Sequence, residues 1–194
     1  MIAAGIAFIL DCMLGDPRTK WHPVVLIGRL ISWLEHVFYR AEESDGRKFF
    51  MGMLLVILVL LITYDVALGI LSAAHMFQQP YLVYGVEAIF LSFMISPRSL
   101  AEAGREIRSY LLEGNMAEAR RKVGWIVGRD TAALDVAGVT RATVETIAEN
   151  TVDGVISPLF FFILGGLPLA VLYRAANTNG SRIGFCNEKY LLFG

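Results

Sequence analysis

At 194 residues the chain is long enough for one domain, and 56% hydrophobic against 18% charged residues is too apolar for an ordinary soluble protein. A net charge of −1 gives no electrostatic footprint for nucleic acid, so no nucleic-acid partner is expected. Cys12 and Cys186, far apart and in no CxxC pattern, suggest neither a disulfide framework nor a zinc site.

In chain order, the first apolar segment is 2–14. It has no Lys or Arg before Arg18, so it reads as a retained helix rather than a secretory signal. A polar hinge follows, Asp11-Cys-Met-Leu-Gly-Asp-Pro-Arg18 and then Trp21-His22-Pro23, where both X-Pro steps favour extended backbone. The second apolar segment, 49–77, holds one acid, Asp65, and exceeds the ~20 residues that cross a bilayer. Gln78-Gln79-Pro80 then predicts a tight turn into the third, 81–95, which carries Glu87. Both acids are expected to make structural polar contacts inside the bundle, with His75 the better-placed partner for Glu87.

Segment 96–153 reads as a helical lobe. Ser99-Leu-Ala-Glu102 has the capping-box pattern, and the helix it opens ends near Gly114-Asn115. Asn115 with Glu118 caps a second helix to about Lys122, and Asp130 is the expected cap of a third running toward Asn150. The fourth apolar segment, 155–173, is interrupted by Gly165-Gly166-Leu167-Pro168. That break is either a kink in a spanning helix or the tip of a re-entrant hairpin.

The fold class that results is all-α: a polytopic integral membrane protein whose polar lobes are 15–48 and 96–153, with a tail at 174–194. If 49–95 crosses and returns, nearly all Lys and Arg lie on one side. The positive-inside rule makes that side cytoplasmic, although acids there almost match the bases.

Candidate chemistry clusters near the fourth segment. Arg141, Glu145, Glu149 and Asp153 recur every four residues, so on a helix the three acids share a face about 80° wide, with Asn150 adjacent. Carboxylates and an amide oxygen so placed suit a hard cation such as Mg²⁺. The plain alternative is a solvated face with an Arg141–Glu145 pair. Arg129-Asp130-Thr131 after Gly128 suits an anion at a helix start, or else is an ordinary turn with an Asp cap. No GxxxxGK[ST] occurs, so a nucleotide would not use a P-loop. His22 is a candidate base or phosphate contact, though a lone histidine is more often structural.

Taken together these motifs resemble the CobD/CbiB family of cobalamin biosynthesis. The resemblance is carried by Asp11 with Gly15-Asp16-Pro17, His22-Pro23-Val24 then Gly28, and Ser96-Pro97-Arg98-Ser99-Leu100. It continues through Val127-Gly-Arg-Asp-Thr131, Arg141 to Gly154, Pro158-Leu159-Phe160, Gly165 to Ala170, and Tyr173-Arg174-Ala175 with Asn177-Thr178. It implies ATP-dependent amide ligation: adenosylcobyric acid joined to (R)-1-aminopropan-2-ol or its O-phosphate, giving adenosylcobinamide (phosphate).

In that setting Asp16, His22, Glu145 and Glu149 are the catalytic candidates. Arg98, Arg129, Asp130, Thr131, Arg141, Arg174 and Asn177 would contact phosphate or carboxylate. Glu145, Glu149, Asn150 and Asp153 would hold Mg²⁺, with ATP as co-substrate. Expected partners are the corrinoid and amine substrates, membrane lipid, and other corrinoid-pathway membrane proteins or a missing carboxy-terminal half. Members of the family extend past the position of Gly194, and after Asn177-Thr178 they usually read Leu-Asp-Ser-Met where Asn179-Gly180-Ser181-Arg182 stands here. An inactive fragment or non-catalytic membrane subunit is the alternative. A permease ranks last, because the polar residues gather at one surface.

Overall fold

Apolar runs bounded by prolines and short polar turns set the element order. The computed structural model describes residues 2–17, 19–128, 130–184 and 189–194, and among these the regular structure is entirely helical. The elements are α1 (Ile2–Leu14), α2 (Pro23–Phe38), α3 (Asp45–His75), α4 (Pro80–Ser92), α5 (Pro97–Leu112), α6 (Met116–Val123), α7 (Val136–Thr151), a π-helical turn (Val152–Ile156) and α8 (Ser157–Ile183). Three helical runs are long and apolar enough to cross a membrane: Asp45–His75, Pro80–Leu112 and Val136–Ile183. The protein is an all-α polytopic membrane protein.

Prolines at the first turn open α2, α4 and α5, where the missing N–H would be unpaired in any case. The α3–α4 turn falls at Gln78-Gln79-Pro80 as expected, with Gln78 at φ 53°. Segment 15–48 is less polar than its flanking charges imply. Ile27, Ile31 and Leu34 form a buried stripe at helical spacing, and it packs α2 against Leu55 and Val59 of α3. A second core joins α1, α4 and α8 through Ala3, Ala7, Ala88, Leu91, Leu167 and Ala170. The lobe has its own core of Ile107, Ala119, Val123, Val139 and Ala142.

Helix starts in the lobe follow the sequence in one case and depart from it in two. Asn115 Oδ1 accepts the Glu118 amide at 3.2 Å, as the cap pattern predicted. The Ser99–Glu102 capping box does not form: Pro97 starts α5 two residues earlier, and the Arg98 amide donates to Asp11 Oδ2 at 3.0 Å. Glu102 pairs with Arg98 instead. The third lobe helix is capped by Asp135, whose Oδ1 accepts the Gly138 amide at 2.7 Å, and not by Asp130.

The Gly165-Gly166 break resolves as a re-entrant hairpin. Gly166 adopts φ 70°, ψ −164°, outside helical space. Asp153 Oδ2 accepts a hydrogen bond from Asn177 Nδ2 at 3.2 Å, and the Phe161 and Tyr173 rings stack at 5.0 Å. In an unbroken helix Asp153 and Asn177 would stand about 36 Å apart. Length and composition alone would make Val136–Ile183 a span, but these contacts show that α8 folds back on itself. The segment after Arg174 therefore returns to the side of Asp153.

Of the two intramembrane acids, Glu87 is half-buried, with Oε1 3.9 Å from where a Cβ on Gly166 would sit. Asp65 contradicts the expectation: it is exposed, with no hydrogen bond or ion pair among the described residues. The side of α3 that packs is the one carrying Leu55, Val59, Thr63 and Ala67.

Candidate functional site

Three stretches distant in sequence meet where α1 ends, α5 begins and the α8 hairpin closes. The first is the α1–α2 loop. Gly15 takes φ 68°, and its amide donates to the Asp11 carbonyl at 2.7 Å, which turns the chain sharply. A Cβ there would lie 2.9 Å from Arg98 Cδ, so glycine also permits the approach to α5. The turn delivers Asp16, whose Oδ1 sits 3.3 Å from His22 Nε2. Its Oδ2 accepts the Ser99 hydroxyl at 3.0 Å. His22 is buried and meets the Phe93 ring edge-on at 5.3 Å.

The second stretch is the start of α5. The Ser96 amide donates to the Gly154 carbonyl at 3.0 Å, tying it to the π-helical turn. A Cβ on Gly154 would come 2.9 Å from Ser96 Oγ, so that hydroxyl would have to turn aside.

The third stretch is the base of the hairpin. Asp153 Oδ1 accepts from the Tyr173 hydroxyl at 3.4 Å, while Oδ2 accepts from Asn177. Arg174 is half-buried near Asp16, Tyr173 and Asp153, and its buried Nε has no hydrogen-bond partner among the described residues. A buried donor of this kind is costly to leave unmade. The centre thus gathers a guanidinium and two carboxylates, with an imidazole and two hydroxyls alongside. Beside it, Trp21, Pro23, Phe90, Met94 and Leu167 help line an apolar cleft of about 460 Å³.

The predicted residues divide sharply. Asp16, His22, Asp153, Arg174 and Asn177 come together. Glu145, Glu149, Asn150 and Arg141 do not join them: all four are exposed on α7. Asn150 Nδ2 donates back to the Thr146 carbonyl at 2.9 Å. The spacing-by-four argument assumed an unbroken α-helix, whereas the π-helical turn carries Asp153 inward. Among the described residues no group of three or more His, Cys, Asp or Glu is placed to hold a metal.

The anion-loop expectation is also revised. Arg129 lies outside the described residues. Asp130 Oδ1 accepts the Ala132 amide at 3.0 Å, and the buried Thr131 hydroxyl donates to the Arg120 carbonyl at 2.9 Å. These bonds shape a loop, and the helix proper starts only after Asp135. Arg98 is half-buried and engaged with Glu102 and the Met13 carbonyl.

Sequence reasoning missed Ser96, Ser99 and Tyr173 as members of the centre. A signal was present: Asp153 and Asn177 are equally spaced about Gly165, as the two arms of a hairpin require.

Comparison with known proteins agrees with this picture. Residues 4–194 match the family described as CobD/Cbib protein. The chain is 43% identical over 194 residues to the cobalamin biosynthesis protein CbiB of Salmonella arizonae, and equally to the cobalamin biosynthesis protein CobD of Klebsiella pneumoniae. Each match covers all of this chain and 60% of the relative. No solved structure matches it.

Proposed function

Because the chain belongs to the CobD/CbiB family, we propose that it acts in cobalamin biosynthesis as an amide-forming ligase at the membrane, with its polar lobes cytoplasmic. The substrates would be adenosylcobyric acid, (R)-1-aminopropan-2-ol or its O-phosphate, and ATP. The observation that carries this reading is the half-buried Arg174 near Asp16 and Asp153, whose buried Nε–H has no hydrogen-bond partner among the described residues.

A carboxylate is a poor acyl donor. In the proposed reaction its oxygen attacks the γ-phosphorus of ATP, ADP leaves, and an acyl phosphate results. The amine nitrogen then attacks the acyl carbon and phosphate departs. Arg174 would hold the carboxylate and then the phosphoryl oxygens, a charge-assisted contact that strengthens as negative charge gathers. Asp16 with His22 would orient the amine and take its proton, a contribution of about 10²–10⁴ in rate. Mg²⁺ would arrive as the counter-ion of ATP.

A second reading is a subunit or fragment without turnover. It is favoured by Gly180 and Arg182, which stand where the family usually has an acid and an apolar residue, and Arg182 here donates to Ser32 Oγ at 2.9 Å. Expression in a strain lacking its own synthase, fed cobyric acid and aminopropanol, separates the two. Cobinamide supports the ligase, while its absence despite stable membrane insertion supports the subunit.

A further inference from the structure

Helix α3 carries an acid for which this fold supplies no partner. Asp65 stands 17 residues beyond Lys48 and ten before His75, about 25 Å and 15 Å along the axis, within an apolar run. It is exposed and makes no hydrogen bond or ion pair among the described residues. Around it Leu61 (54%) is also open, as is Leu68. Ionisable groups inside membrane segments normally face the bundle or pair with one another, because hydrocarbon solvates charge so poorly. One turn on, a Cβ at Gly69 would meet nothing within 4 Å, and Ser72 and Ala73 are exposed as well. The backbone there is open to close approach by a second helix.

We propose that this face of α3 docks a membrane helix of another polypeptide, one carrying a basic side chain at the depth of Asp65. Charge complementarity selects that occupant. Two copies of the chain meeting face to face through α3 would set acid against acid, and residues 49–74 offer no Lys, Arg or His in answer. The inference is independent of the ligase reading, since Asp65 lies on the opposite side of α3 from its packed face.

The test uses the whole chain, donor-labelled, in phosphatidylcholine vesicles with acceptor-labelled synthetic Leu/Ala helices whose central residue is Lys, Leu or Glu. Energy transfer should report about tenfold tighter association of the Lys helix than of the Leu helix, with the Glu helix weakest. The preference for Lys should vanish in Asp65→Leu and persist in Asp65→Glu. Since Asp65 makes no internal contact, Asp65→Leu should keep the wild-type helical ellipticity. A Lys preference unchanged in Asp65→Leu, or absent from the wild type, overturns the proposal. So does energy transfer between copies of the chain alone that is lost in Asp65→Leu, since a second copy would then be the occupant.

Discussion

Gly166→Ala probes the feature on which the site depends, the reversal of α8. At φ 70°, ψ −164° Gly166 occupies a region open essentially to glycine alone. A Cβ there would meet no atom closer than 3.7 Å, so the penalty is conformational rather than steric. Backbone strain of this kind costs about 1–3 kcal/mol, which for a chain of this size lowers Tm by about 2–12 °C.

Gly165→Ala is the matched control. Its φ of −152° suits any residue, but its Cβ would fall 2.3 Å from Leu169 Cδ1. Its cost, about 1–3 kcal/mol from overpacking, should be relieved by adding Leu169→Ala, whereas no shortening of a neighbour should rescue Gly166→Ala. Thermal unfolding in detergent, followed by ellipticity, reads both. A cysteine pair replacing Phe161 and Tyr173 should cross-link in the wild-type background and less readily in Gly166→Ala. Wild-type Tm and cross-linking in Gly166→Ala would refute the hairpin.

Three further predictions concern the tail and the lobe. Lys189 and the Tyr190 hydroxyl both bond Glu35, and although burial of Glu35 opposes them, together they hold its carboxyl below the usual value. A depressed carboxylate gives stability that is present above its unfolded value and lost as pH falls through its folded one. The contribution of this contact to Tm should therefore disappear in acid, and Glu35→Gln should remove that pH dependence. The pair is partly exposed, so its worth is under about 1 kcal/mol and should shrink with salt. Thr131→Val removes the hydroxyl donor from the Arg120 carbonyl, which keeps the Gly124 amide, and should cost about 0.5–1.5 kcal/mol by chemical denaturation, without changing substrate affinity. Asn115→Ala removes the cap of α6 and should cost about 1 kcal/mol in the same assay.

What could be read from the sequence was local. The turn at Gln78-Gln79-Pro80 and the Asn115 cap depend on residues within four positions of each other, and both formed as expected. What escaped was tertiary. α5 is capped by Asp11, 87 residues away, so Ser99 is released to bond Asp16. Helix α7 starts late because Thr131 and Arg120 tie down the preceding loop. The kink or re-entrant question was undecidable from Gly165-Gly166 alone and turns on the Asp153–Asn177 contact. Charges at Arg18, Lys20, Arg40 and Arg47 masked the amphipathic helix between them. His22 was visible as a polar residue beside an apolar segment and Asp153 in a series of acids, whereas Asp16, Arg174 and Asn177 came only with the family resemblance. The acids of α7 looked equally suitable until the π-helical turn set Asp153 apart from them.

The most direct measurement is the rate of cobinamide formation by this chain and by Asp16→Asn, side by side in the same membranes with saturating cobyric acid, aminopropanol and ATP. The account predicts product from the wild-type chain and a rate lower by about 10²–10⁴ in Asp16→Asn at equal membrane abundance. Equal rates, or no product from the wild-type chain, would contradict it.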